Sequence, residues 1–185
     1  MKNIRLLVGI LIVASAGLAT GIAVSAQDRY TVAVPGGLAF SEFRGYDGWE
    51  VVNISENGGV VAAILGNPAM IKAYKTGYPA NGKPFPEGAR MAKIHWMPKK
   101  NVTAPGAPTV GDKLLNVDFM LKDSKRFADS GGWGYAAFEY DAATDTFRPA
   151  DEKSSPPQAH DAKCGAACHV IAKNRDFVFT EYPKR

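Results

Sequence analysis

The chain has 185 residues, 46% hydrophobic and 22% charged, with a net charge of +4 and two cysteines. That length suits one domain with a substantial core, and without a run of five basic residues nothing supports nucleic-acid binding. Two of the positive charges, Lys2 and Arg5, lie within residues 1–26, so the other 159 residues carry only +2.

Residues 1–26, MKNIRLLVGILIVASAGLATGIAVSA, have a basic start, an uncharged run from Leu6 to Ala26 and the small-residue site Val24-Ser25-Ala26. This is the pattern of a cleavable export signal. The uncharged run also approaches the length of a membrane span, so an uncleaved anchor is the alternative. Either way, residues 27–185 are expected to form one domain in a periplasm, where disulfides and thioether-linked haem are both permitted.

From Gln27 a flexible stretch is expected, leading to turn residues around Gly45 and Gly48. WEVVNIS is β-branched and predicts a strand, Asn57-Gly58-Gly59 a tight turn, and VVAAIL the partner strand. GNPAMIKAYKTG predicts a helix capped by Asn67, begun by Pro68 and ended by Gly77, with Met70, Ile71 and Tyr74 on its core side. YPANGKPFPEG is a loop. ARMAKIHWMP predicts a strand ended by Pro98, with Ala92, Ile94 and Trp96 on one face and Met91, Lys93 and His95 on the other. By composition alone that second face is expected in solvent.

KKNVTAPGAPTVGD reads as a loop and LLNVDFMLKDS as a strand. In that strand Leu115, Val117, Phe119 and Leu121 oppose Asn116, Asp118 and Met120. KDSKRFADSGG predicts a turn or short helix, WGYAAFEYD an aromatic strand, and AATD a turn into TFRPA. A polar linker, DEKSSPPQAHDAK, with a solvated His160, leads to the cysteines. Strands outnumber helices, and the fold class is α+β with a mainly antiparallel sheet and a few helices.

Both cysteines stand in Cys164-Gly165-Ala166-Ala167-Cys168-His169, near the C-terminus. Covalent haem attachment needs two thiols and an adjacent imidazole, usually spaced C-x-x-C-H. Here the spacer is three residues, and Gly165 is expected to absorb the extra one through an unusual backbone angle. Cysteines four apart on a helix in an oxidising compartment equally suit a disulfide, and the spacing leaves both open.

GNPAMIKAYKTG…NGKPFPEGARMAKIHW, LKDSKRFADSGGWGYAAFEYD and CGAACHVIAKNRDFVFTEYPKR together resemble the cytochrome P-460 family. These exported haem proteins include hydroxylamine-oxidising cytochromes and the gas-binding cytochrome c′-beta group. The resemblance, from about Phe43 to Tyr182, implies a haem c bound by Cys164 and Cys168. It also implies His169 as proximal iron ligand, Lys93 cross-linked to the haem edge, and Asp118 as the acidic residue of an open distal pocket. Asp118 is then the catalytic proton acceptor.

The chain departs from the family in its three-residue spacer, in an aspartate where glutamate is usual, and in lacking a distal arginine within VVAAILGNP. The resulting expectation is oxidation of hydroxylamine or a related small nitrogen compound. The alternatives are a nitric-oxide or gas-binding protein of the c′-beta kind, or a haem-free exported domain with a Cys164–Cys168 disulfide. The resemblance implies a homodimer, and no motif specifies a redox partner. His95 reads as a distal ligand or base, or as an ordinary surface or core histidine. Met91, Met97 and Met120 read as a sixth ligand or as packing. Trp96, Trp133, Tyr135, Phe138 and Phe179 are core candidates, with one or two phenylalanines able to cap the distal face.

Overall fold

The computed structural model describes residues 26–158 and 161–185; the predicted export signal, except for Ala26, and His160 lie outside the described residues. The strands β1 Glu50–Asn57, β2 Val60–Gly66, β3 Arg90–Lys100, β4 Thr109–Lys122, β5 Trp133–Asp141 and β6 Thr146–Pro149 form one antiparallel sheet in chain order. The helices α1 Pro68–Lys75 and α2 Cys164–His169 and several 3-10 turns complete an α+β fold dominated by its sheet.

Local chemistry explains the regular parts. Gly58 and Gly59 adopt φ of 58° and 77° between paired Asn57 and Val60, the left-handed two-residue turn that matches strand twist. Asn67 Oδ1 accepts from the Met70 amide at 3.0 Å, Pro68 opens α1, and Gly77 follows it with φ of 92°. The same Asn67 oxygen accepts from Arg90 N at 3.0 Å, so the cap also ties α1 to β3.

Alternation gives the sheet two faces. Ala92, Ile94, Val117, Phe119, Ala136 and Phe138 point to one, where Val34, Leu38, Phe40, Phe43 and Tyr46 cover them. Phe40 is fully buried, and its ring meets those of Tyr30, Tyr46, Phe119, Phe138 and Phe147 at centroid distances of 5.0–5.9 Å. On the opposite face Met70, Ile71, Tyr74, Phe85, Trp133 and Val178 form a second core. That core occupies only part of the face.

Four expectations are corrected. The stretch after Gln27 is packed: Gln27 exchanges hydrogen bonds of 2.9 and 2.7 Å with the Phe147 backbone, and the following residues form the lid over the first core. Its apolar residues keep neither strand nor helix period, so pattern reading passes over them. Pro98 does not end β3; the register shifts between Met97 and Pro98, and this bulge accommodates a residue without an amide hydrogen. The loop expected at 99–112 is correspondingly shorter, because Lys99 and Lys100 pair with Val110 and Thr109. Leu115 leaves the apolar face, since Trp96 pairs with Leu114 while His95 pairs with Asn116, and the extra residue turns Leu115 toward the opposite side.

Removing the centre of the lid core tests this packing. Phe40→Ala is expected to cost about 3–5 kcal/mol in urea unfolding, and Ile54→Ala, on a side chain 72% exposed, to stay within about 0.5 kcal/mol. A loss below about 1 kcal/mol for Phe40→Ala would contradict a structural role for the lid.

Candidate functional site

The uncovered part of the second face is the floor of a cavity of about 630 Å³. Met91, Lys93 and His95 of β3 and Asn116, Asp118 and Met120 of β4 line it, with Lys93 paired to Asp118 and His95 to Asn116 across the strands. Tyr135 and Ala137 of β5 continue the floor, residues 155–158 form a wall, and Cys164, Cys168 and His169 of α2 form the roof with Phe179. Lys93, Asp118, Cys164, Cys168 and His169, 76 positions apart in sequence at the extremes, thus meet in one cavity. The Lys93 face, expected in solvent from composition, is enclosed because the C-terminal segment folds back over it.

α2 is a regular six-residue helix, so Cys164 and Cys168, four apart, lie on one side of it. Both thiols are unpaired, Cys164 half-buried and Cys168 exposed. Gly165 has no left-handed backbone angle, contrary to expectation. Its role is close approach: a Cβ there would lie 2.5 Å from the Tyr135 ring. The helix has no side-chain cap, and neighbouring bonds position it instead. Tyr135 N donates to Ala162 O at 2.7 Å, and Ala137 N donates to Gln158 Oε1 at 2.9 Å.

His169 lies between the rings of Tyr135 and Phe179, at 4.9 and 4.6 Å. Its Nδ1 is 2.7 Å from the Phe177 carbonyl oxygen. A carbonyl can only accept, so Nδ1 carries the hydrogen and Nε2 keeps its lone pair. Burial lowers the imidazole's pKa, the bond to Phe177 opposes this, and the Lys93 charge lowers it further. A neutral ring with a free Nε2 is the form that binds a metal.

Across the cavity, Asn116 Nδ2 donates to Asp118 Oδ1 at 2.7 Å and to His95 Nδ1 at 2.9 Å. His95 Nδ1 also stands 3.4 Å from Asp118 Oδ2. Burial raises the Asp118 carboxyl to about 7 against the partial relief of the Asn116 bond and the Lys93 charge. Burial, then Lys93, lowers His95 to about 4. The 3.4 Å contact is therefore no ion pair at neutral pH, because the imidazole is uncharged. His95 is thus neither a surface nor a core histidine, and the accessible part of Asp118 opens on the cavity. Met91 and Met120 line it as apolar packing, whereas Met97 is exposed outside it.

Sequence reading missed three groups. Asn116 sits two residues from Asp118 on the same strand face, a signal that alternation offered. Tyr135 is core as expected, and it also lines the cavity with its ring against His169, which its place in an aromatic strand did not reveal. The Phe177 carbonyl has no side-chain signature at all.

A family model described as cytochrome P-460 matches residues 17–180. No curated protein matches the chain. The family implies a haem cofactor, and the residues present fit one. The cavity volume lies in the range of roughly 300–1,000 Å³ typical of cofactor sites. Its roof offers an imidazole with a free Nε2 and two thiols on one helix side, the donor set that covalent haem attachment requires.

The shifted Asp118 carboxyl makes stability depend on pH. The folded chain holds a proton up to about 7 that an ordinary carboxyl, at 3.8, releases earlier. The unfolded state therefore binds fewer protons between these values, and this contribution to stability falls as pH rises from about 4 to 7, then levels. His95 contributes the opposite slope between its ordinary 6.5 and about 4. Asp118→Asn keeps an acceptor for Asn116 and isolates the aspartate. Haem-free Asp118→Asn is expected to be more stable than wild type at pH 8 by about 1–2 kcal/mol and equal to it at pH 4. Parallel stability curves for the two proteins across this range would contradict the raised carboxyl.

Proposed function

The chain belongs to the cytochrome P-460 family, and on that premise we propose that it is an exported c-type haem protein oxidising hydroxylamine or a related small nitrogen compound. The observation carrying this reading is the Asp118–Asn116–His95 set, which gives one side of the cavity a proton-accepting group opposite a free imidazole nitrogen. The basic, apolar and small-residue pattern of residues 1–26 supports export to the periplasm.

Haem iron supplies the electron-transfer chemistry when bound. Cys164 and Cys168 would hold the group through thioether bonds, their thiols adding across its two vinyl groups, and His169 Nε2 would ligate iron. Lys93, on the cavity floor, would be the residue linked to the haem edge, its amine replacing a ring hydrogen with loss of two protons and of two electrons to a peroxide as oxidant. Asp118 takes the proton that hydroxylamine releases as it loses electrons. A carboxyl titrating near 7 suits this role, since it is partly ionised at neutral pH yet basic enough to hold a proton. Asn116 fixes Oδ1 and, by donating also to His95 Nδ1, ties the imidazole into the same set, so Asp118 is the one group of the three left to take the proton.

Ile64, Met91 and Met120 form an apolar flank of the same cavity and favour a second reading, binding of a neutral diatomic such as nitric oxide. Catalysis separates the two. Asp118→Asn is expected to slow hydroxylamine oxidation by about 10²–10⁴-fold, with haem content and nitric oxide binding intact. The wild-type rate should rise with pH through about 7, as the base ionises, and the variant should lose that rise. Nitric oxide binding without hydroxylamine turnover in wild type would favour the gas-binding reading.

Attachment has its own test. Denatured wild type should retain haem, Cys164→Ala and Cys168→Ala should each weaken retention, and peptide mapping should find Lys93 modified. Complete release of haem on denaturation would exclude the thioether bonds, and an unmodified Lys93 in haem-loaded protein would exclude the cross-link.

A further inference from the structure

Two stretches that stand out in the sequence, LKDSKRFADSGGW and NRDFVFT, converge beside His169 in an arrangement that the reading above leaves unused. Lys122, the last residue of β4, is buried, and its Nζ lies 2.8 and 3.1 Å from the two carboxylate oxygens of Asp176. The same ammonium donates to Gly131 O at 3.0 Å and lies 5.2 Å from the Trp133 ring centroid. Asp176 Oδ2 also accepts from Phe85 N at 2.7 Å. The carboxylate is thereby held from the sheet and from the loop after α1 at once.

This grip falls on a costly piece of backbone. Asp176 and Phe177 have φ of 51° and 64°, two consecutive non-glycine residues in the left-handed region. Cβ crowding disfavours that conformation, and it persists where the surroundings over-determine it. Gly131 makes room for the turn, since a Cβ there would lie 2.2 Å from the Phe177 ring. The turn aims the Phe177 carbonyl at His169 Nδ1, 2.7 Å away.

We propose that the Lys122–Asp176 pair is the positioning element of the His169 imidazole: it holds the left-handed turn that lets Phe177 accept from Nδ1 and directs Nε2 into the cavity. The proposal rests on the reading of His169 as the iron ligand. Both residues act through Phe177 and are positioning residues. A ring N–H held by a carbonyl makes the opposite nitrogen a stronger donor and fixes ring orientation. Loss of the clamp therefore weakens the bond that Nε2 makes and stabilises the oxidised metal less.

The test uses haem-loaded protein and reads the ferrous iron–imidazole stretching band and the reduction potential. Asp176→Asn and Lys122→Met are each expected to move the band to lower frequency and the potential upward. Each single change leaves a buried charge unpaired and can prevent accumulation. The double variant Lys122→Met with Asp176→Asn removes both charges, is expected to fold, and should shift the band in the same direction. Arg126→Met, which breaks a surface pair with Glu42, should leave band and potential unchanged and thus controls for general destabilisation. A wild-type band and potential in the haem-loaded double variant would overturn the clamp. A wild type that takes up no haem would overturn the functional reading with it, so the two failures are distinguishable.

Discussion

Side chains alternate along β3 and β4, and the pairing of Lys93 with Asp118 and His95 with Asn116 gathers four polar groups on one face of the sheet. Ala92, Ile94, Val117 and Phe119 go to the other face, against the rings around Phe40. A slip of one residue would exchange the faces and drive a lysine and an aspartate into the lid core. Burial of unpaired charge is among the largest single penalties a fold can incur. The aromatic lid therefore does more than seal a core: by making one face intolerant of charge, it fixes the register that assembles the site.

The same enclosure tunes the chemistry. Low polarity raises the Asp118 carboxyl and lowers both His95 and His169. Two imidazoles are thus kept neutral, His169 with Nε2 available and His95 with Nδ1 accepting from Asn116, and one carboxyl is held near the pH at which it can gain or lose a proton. A fully solvated version of this face would leave an ordinary carboxylate and largely protonatable histidines, without a poised acid–base group.

The roof of the cavity depends on the sheet for its shape. A six-residue helix without a side-chain cap has little stability of its own. Gly165 against Tyr135, the backbone bond from Tyr135 to Ala162 and the Gln158 amide hold it over β5. Downstream, the buried Lys122–Asp176 pair joins the end of β4 to the turn that contacts His169. The thiols and the imidazole are therefore carried by tertiary contacts, and the extra residue between the cysteines is absorbed by ordinary helical geometry.

The sequence by itself determined the β1–β2 turn, the limits of α1 and the two faces of β3, because glycine φ preference, capping and period-two alternation act over a few residues. It also carried enough of the family pattern to name Lys93, Asp118, Cys164, Cys168 and His169 as candidates. Other features had no local signature: the lid formed by Leu38, Phe40 and Phe43, the continuation of β3 through Pro98, and the turning of Leu115. Nor did the Lys93 face reveal what covers it. Alternation distinguishes two sides of a strand, but whether water or another segment meets each side depends on contacts between residues far apart in the chain. Tertiary structure alone decided that α2 closes over Lys93 and Asp118, since packing against Tyr135 is a matter of shape between distant segments and leaves no period to read.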